Sequence, residues 1–111
     1  MEKKKTEELT LELTELRKQH AKVREFIIPC DEDDETQTIT LFLKPATSMI
    51  REFAYKTAKT NQKKAVYETL KMLRLGGDDL ELLVSNDFAA ECANGGLAEY
   101  LSVPAVVIKK N

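Results

Sequence analysis

The sequence predicts an α+β fold: an N-terminal helix, a two-stranded antiparallel hairpin, then a mainly helical C-terminal bundle. Three observations carry this. Apolar residues recur at helical spacing over residues 6–22 and again over 47–75. Between those blocks, Thr38 to Leu43 alternates, with Ile39, Leu41 and Leu43 on one face and Thr38, Thr40 and Phe42 on the other. An acidic run, Asp31-Glu-Asp-Asp-Glu35, separates that stretch from an earlier strand-forming one, as a hairpin loop would. A chain of 111 residues suits one core. The expected organisation is a helical arm over 1–22 and one α+β domain over 23–111.

The first helix rests on Leu9, Leu13, Leu16 and His20, which fall on one narrow stripe, with Leu11 off it. Thr6 followed by Glu8 and Leu9 suits its start, since a Thr hydroxyl can cap free amides and an acid suits the first turn. So narrow a stripe fits an arm that orders on a partner or in an oligomer. Val23 to Ile28 is rich in strand formers, and Pro29 removes a ladder donor at its end. The second strand spans 36–43 and is closed by Pro45. Residues 47–75 form the strongest helical block. Thr47 or Ser48 caps it, Met49, Phe53 and Thr57 share a face with Ile50 and Ala54 beside them, and Thr60-Asn61 breaks it in two. Ala65, Val66, Thr69, Leu70 and Leu73 make the second stripe, and Gly76-Gly77 supplies a left-handed exit. Residues 78–84 fit a single helical turn. Ser85 can cap a further helix through Phe88 and Cys92, which Asn94-Gly-Gly96 is expected to end or bend. Residues 103–108, Val-Pro-Ala-Val-Val-Ile, fit either a strand or, with Pro104 in the first turn, a last helix.

Composition narrows the function. There are 17 Lys+Arg against 19 Asp+Glu, a net charge of −2, with one His, two Cys and no Trp. No apolar run reaches the ~18 residues of a membrane span. No apolar stretch follows the charged Met-Glu-Lys-Lys-Lys start, so a cytoplasmic protein is expected and a secretory signal is not. The net value hides a pattern: −5 in residues 31–35, +5 in residues 51–74 and −4 from residue 75 onward. Such blocks can complement one another within a domain or mark a docking surface for an acidic partner.

Few residues offer chemistry. Cys30 and Cys92 lie far apart in sequence without a neighbouring ligand pair, which argues against zinc. His20, the single histidine, has no local nucleophile or orienting group. Asp31, Asp33 and Glu35 mimic a calcium loop, but Thr36 stands where Gly is needed and Phe42 where a bidentate Glu is needed. Leu75-Gly-Gly-Asp-Asp79 lacks the spacing and the Lys-Ser/Thr of a phosphate loop. The basic 51–74 block has Phe53, Tyr55 and Tyr67 as its aromatics, and the acidic whole chain weighs against nucleic acid. No catalytic residue, cofactor or metal is predicted, and a non-enzymatic role is expected.

The order of elements resembles small tail assembly chaperones and related tail-region proteins of phages and prophages. The resemblance runs from about residue 36 to the C-terminus. It rests on a strand ending Leu41-Phe-Leu-Lys44-Pro45, a helix carrying Met49, and a Lys-rich connector from Thr60 to Lys64. A helix then leads to Leu75-Gly76-Gly77-Asp78, followed by an acidic stretch, Asp87-Phe88, and an Ile-Lys-Lys ending. Asn94-Gly-Gly96 and the β-branched 103–107 depart from the pattern. The resemblance implies a small, cytoplasmic, oligomeric protein that coats the helical tape-measure protein until tail-tube polymerisation displaces it. Phe53, Val66, Leu70 and Phe88 are then candidates to line an apolar groove for a partner helix. A structural virion protein of tail or head completion is the alternative, and a small nucleic-acid-binding regulator a third.

Overall fold

The structure, a computed structural model, describes residues 4–103 of the chain. Helix α1 (Thr6–Gln19) is followed by strands β1 (Arg24–Pro29) and β2 (Thr38–Leu43), then helices α2 (Ser48–Ala58) and α3 (Gln62–Leu73). Strand β3 (Arg74–Gly77), the single turn α4 (Glu81–Val84) and helix α5 (Asp87–Leu101) complete it. The fold is α+β.

Strand β2 lies at the centre of a three-stranded antiparallel sheet, β1-β2-β3. Its alternation decides the layering. Ile39, Leu41 and Leu43 face the main core with Ile28, Ile50, Leu70, Leu73 and Leu97, contributed by β1, α2, α3 and α5. Phe42 points the other way, into a smaller cluster with Leu9, Val23, Leu13, Leu16 and Leu75. The helix expected as an arm thus lies on the sheet's second face, held by Leu9, Leu13 and Leu16, while His20 and Leu11 stay exposed.

The expected two-stranded hairpin is corrected to a sheet of three. Helix α3 stops at Leu73, and Arg74 is extended. The segment read as a helix exit pairs with β2 instead, Gly77 opposite Leu41, Gly76 opposite Phe42 and Arg74 opposite Leu43. Leu75 is the extra residue of that ladder, a bulge that turns it toward α1. Gly77 does hold a positive φ of 99°, and a Cβ there would collide with the Thr40 carbonyl. At Gly76 a Cβ would run into Glu12 and Leu16 of α1. The glycines therefore let α1 and β2 approach β3 closely.

Asp78 completes the edge. It is 1% exposed; its N–H donates to the Thr40 carbonyl at 2.7 Å, and its Oδ2 accepts from the Thr40 amide at 2.8 Å. Oδ1 accepts from the Lys4 amide at 2.9 Å, which anchors the start of α1. Glu12 Oε1 accepts from the Gly77 amide at 3.1 Å and from Lys4 Nζ at 2.9 Å. Arg74 donates to the carbonyls of Gly77 and Asp78.

The break at Thr60-Asn61 separates α2 from α3, with Asn61 accepting from the Lys64 amide. Thr47 caps α2 and Asn86, in place of Ser85, caps α5. On α2 the inward face is Ile50 and Ala54, and Met49 is 81% exposed. The interruption expected at Asn94-Gly-Gly96 is also corrected, for α5 runs unbroken from Asp87 to Leu101. A Cβ at Gly96 would sit 3.1 Å from the Phe26 ring, so this glycine lets α5 lie against β1. Arg51 Nε donates to the Leu101 carbonyl at 2.9 Å, satisfying one orphan acceptor at the end of α5. The strand-or-helix alternative for 103–108 and the Ile-Lys-Lys ending fall almost wholly outside the described residues.

Candidate functional site

Helices α3, α4 and α5 enclose an open groove of 630 Å³. Its apolar lining is Val66 from α3, Leu83 and Val84 from α4, and Ala90 from α5. Val84 is 66% exposed. Four large apolar residues, Leu80, Leu82, Leu83 and Val84, crowd one short stretch, and a single helical turn cannot turn all of them inward. Polar bonds tie the walls together: Gln62 Nε2 donates to Asn94 Oδ1 at 3.2 Å, and the Tyr67 hydroxyl donates to Glu81 Oε1 at 2.8 Å. The hydrogen bond to Glu81 is the main cause that raises the Tyr67 pKa above the usual phenol value.

The four apolar residues expected to line a groove are not brought together. Val66 lines it. Leu70 is fully buried in the main core. Phe53 is 39% exposed on α2, the same helix as the exposed Met49. Phe88 is half-buried in the first turn of α5. Sequence reasoning missed Tyr67, Val84, Ala90 and the charged rim of Lys63, Asp87 and Glu91. The crowded apolar run ending in Val84 was the one signal for it.

The residues that carry the resemblance hold the fold together. The Lys44 amide donates to the Leu73 carbonyl at 3.0 Å, and the Lys44 carbonyl accepts from the Tyr100 hydroxyl at 2.6 Å. Tyr100 packs edge-on against Phe26 at 5.9 Å, with the Arg24 guanidinium over its ring; burial raises its pKa and Arg24 opposes that. Pro45 follows, half-buried, in the turn into α2. Leu75, Gly76, Gly77 and Asp78 build β3 and its contact with α1.

No ion pair among the described residues joins one charge block to another. Among the described residues, the ion pair involving the basic 51–74 block is Lys56 with Glu52 inside α2, at 3.0 Å. None joins that block to the acidic loop or to α5. The loop bonds to itself: Asp31 accepts from the Asp33 amide at 2.8 Å, and Asp34 accepts from the Thr36 amide and hydroxyl. The Thr36 hydroxyl bond holds the Asp34 carboxyl below its usual pKa. Among the described residues no group of three or more His, Cys, Asp or Glu side chains is placed to hold a metal ion, and no helix is long and apolar enough to cross a membrane. Compared with known proteins, the chain matches no family model, no curated protein and no solved structure.

Proposed function

We propose that this chain is a non-enzymatic assembly protein of a phage or prophage tail, similar to the tail assembly chaperones. In this reading it works in the host cytoplasm and binds the tape-measure protein until tail-tube polymerisation displaces it. The observation that supports this best is the open groove between α3 and α4–α5, with its apolar floor and charged rims. An apolar floor favours burying a partner's apolar stripe, and the rims keep the empty groove soluble. The groove then takes the role first assigned to Phe53, Val66, Leu70 and Phe88 together, with Val66 as the shared member.

The test is a pull-down from phage-producing cells, with mass spectrometry of the lysate complex and of purified particles. A chaperone co-purifies with the tape-measure protein and is absent from finished particles, and Val84→Asp abolishes the capture without unfolding the chain. Presence in the particles supports the alternative, a structural virion protein. Retention on DNA with a steep salt dependence supports a regulator, for which the exposed Lys59, Lys63, Lys64 and Lys71 supply the charge.

A further inference from the structure

The two rims of the groove carry opposite charge. Lys63 lines it from α3, and Asp87 and Glu91 line it from α5. All three are exposed, and none belongs to an ion pair among the described residues. Lys63 also stands in the first turn of α3, which has no acidic residue, so it opposes its own helix's dipole. An acidic group brought in by a partner would answer both Lys63 and that helix end.

The walls of the groove are helices, whose backbone groups beyond the end turns are already paired. An extended peptide laid there would leave its own N–H and C=O groups without partners, whereas a helix brings its bonds with it. The α5 residues that line the groove run from Asp87 to Asn94, which is about 10 Å, or two helical turns. Two turns present an i, i+4, i+7 apolar stripe. With one rim basic and the other acidic, a helix that fits carries acid along one flank of that stripe and base along the other. Turning such a helix end for end exchanges its flanks, so unlike rims distinguish the two directions of insertion.

From this we infer that the groove takes a bipolar amphipathic helix, with its acidic flank against Lys63 and its basic flank against Asp87 and Glu91, and that this charge pattern sets the direction of the bound helix. The inference rests on the groove being the partner site, and it adds the chemistry and polarity of the partner segment.

Three designed helical peptides of about four turns share one apolar stripe and differ in their flanks: Glu on one and Lys on the other, Glu on both, or Lys on both. Binding to the full chain is read by fluorescence anisotropy at low salt. A spin label on the peptide N-terminus reports direction through broadening of amides near Asn94 or near Val84. The mixed peptide should bind about tenfold tighter than either uniform one, with the gap closing as salt rises. Exchanging its flanks should move the broadening to the opposite end of the groove, and Lys63→Glu with Asp87→Asn and Glu91→Lys should move it back. Equal affinity for all three peptides, or a label that stays put, overturns the inference and leaves the groove as a helix site. Failure of every peptide to bind overturns the groove reading as well.

Discussion

Replacing Asp78 with alanine should release α1 and the β2–β3 edge together. The Asp78 carboxylate is buried and takes two backbone amides, Thr40 at 2.8 Å and Lys4 at 2.9 Å, from segments far apart in the chain. Hydrogen bonds to a charged group contribute about 1.5–3 kcal/mol each, and a buried amide left unpaired costs about 1–3 kcal/mol. Against this stands the cost of keeping a carboxylate out of water, which alanine removes. The net loss for Asp78→Ala should be about 2–4 kcal/mol. Asp78→Asn keeps one acceptor oxygen but turns an amide NH2 toward the second donor, so it should lose roughly half as much. Urea unfolding measures both, and at an m-value of about 2 kcal/mol per M the alanine variant should move the midpoint down by about 1–2 M. Amide hydrogen exchange supplies the local readout: Thr40 and the first turn of α1 should lose protection before the main core does. If Asp78→Ala unfolds within ~0.5 kcal/mol of the parent at unchanged m, burial of the charge cancels its bonds and the anchoring role assigned to Asp78 is refuted.

Three further outcomes follow from single positions. Gly95→Ala meets open space on an exposed helix face and should stabilise by ~0.5–1 kcal/mol, whereas Gly96→Ala presses its methyl on the Phe26 ring and should give no such gain; equal effects in thermal melts would contradict the packing of α5 on β1. Thr69 Oγ1 is fully buried without a hydrogen-bond partner among the described residues, so Thr69→Val should raise stability by about 1 kcal/mol, and a clear loss in denaturant titration would mean that the hydroxyl is satisfied. Tyr67 donates to Glu81, and its raised pKa means the folded chain holds that proton more tightly than the unfolded one. This contribution is complete below the ordinary phenol value, ~10, and fades as pH rises through the raised value. Glu81→Gln should bring the Tyr67 ring titration followed by NMR back toward the ordinary value, and an unmoved midpoint would count against the bond.

Local pattern made some of this fold readable and tertiary contact decided the rest. The alternation Ile39, Leu41, Leu43 announced β2 as a strand because those three residues share one buried face, but it did not show that β2 has a neighbour on each side. Asn61 announced the α2–α3 break because its side chain does the capping itself. Strand β3 gave no such sign. Arg74-Leu-Gly-Gly77 has no β-branched residue, and it is a strand because Leu41 to Leu43 offer it a ladder and α1 lies against its glycines. Gly95 and Gly96 read as a helix break for the same reason in reverse: propensity disfavours them, but the packed residues Ala93, Leu97 and Leu101 on either side carry the helix through. The groove was hidden because each part has a commoner explanation. Val66 belongs to the core as well as to the lining, Lys63 and Glu91 read as solvent-facing, and the residues that meet across it from α3 and from α4–α5 are 16 or more positions apart. Periodicity ranks Leu70 beside Val66, both are core residues, and only the packing shows that Val66 also reaches the edge of an opening.

The placement of Lys44, Pro45 and Leu75 to Asp78 bears on what the resemblance can say. Each is spent inside the fold: Lys44 by its backbone on Leu73 and Tyr100, the glycines on the approach of α1 and β2, Asp78 on Thr40 and Lys4. In this chain the close approach of α1 and β2 to a short third strand requires small residues there, and the amides of Thr40 and Lys4 require a buried acceptor. These positions therefore report a way of folding, and a shared function has to be sought in surfaces the fold leaves unspent. Lys63, Val84, Asp87 and Glu91 are such a surface: exposed, unlike in charge across a groove, and used by none of the ion pairs that hold the described residues together. Substitutions there should leave stability nearly unchanged while altering partner binding, and those at Gly76, Gly77 or Asp78 should do the reverse.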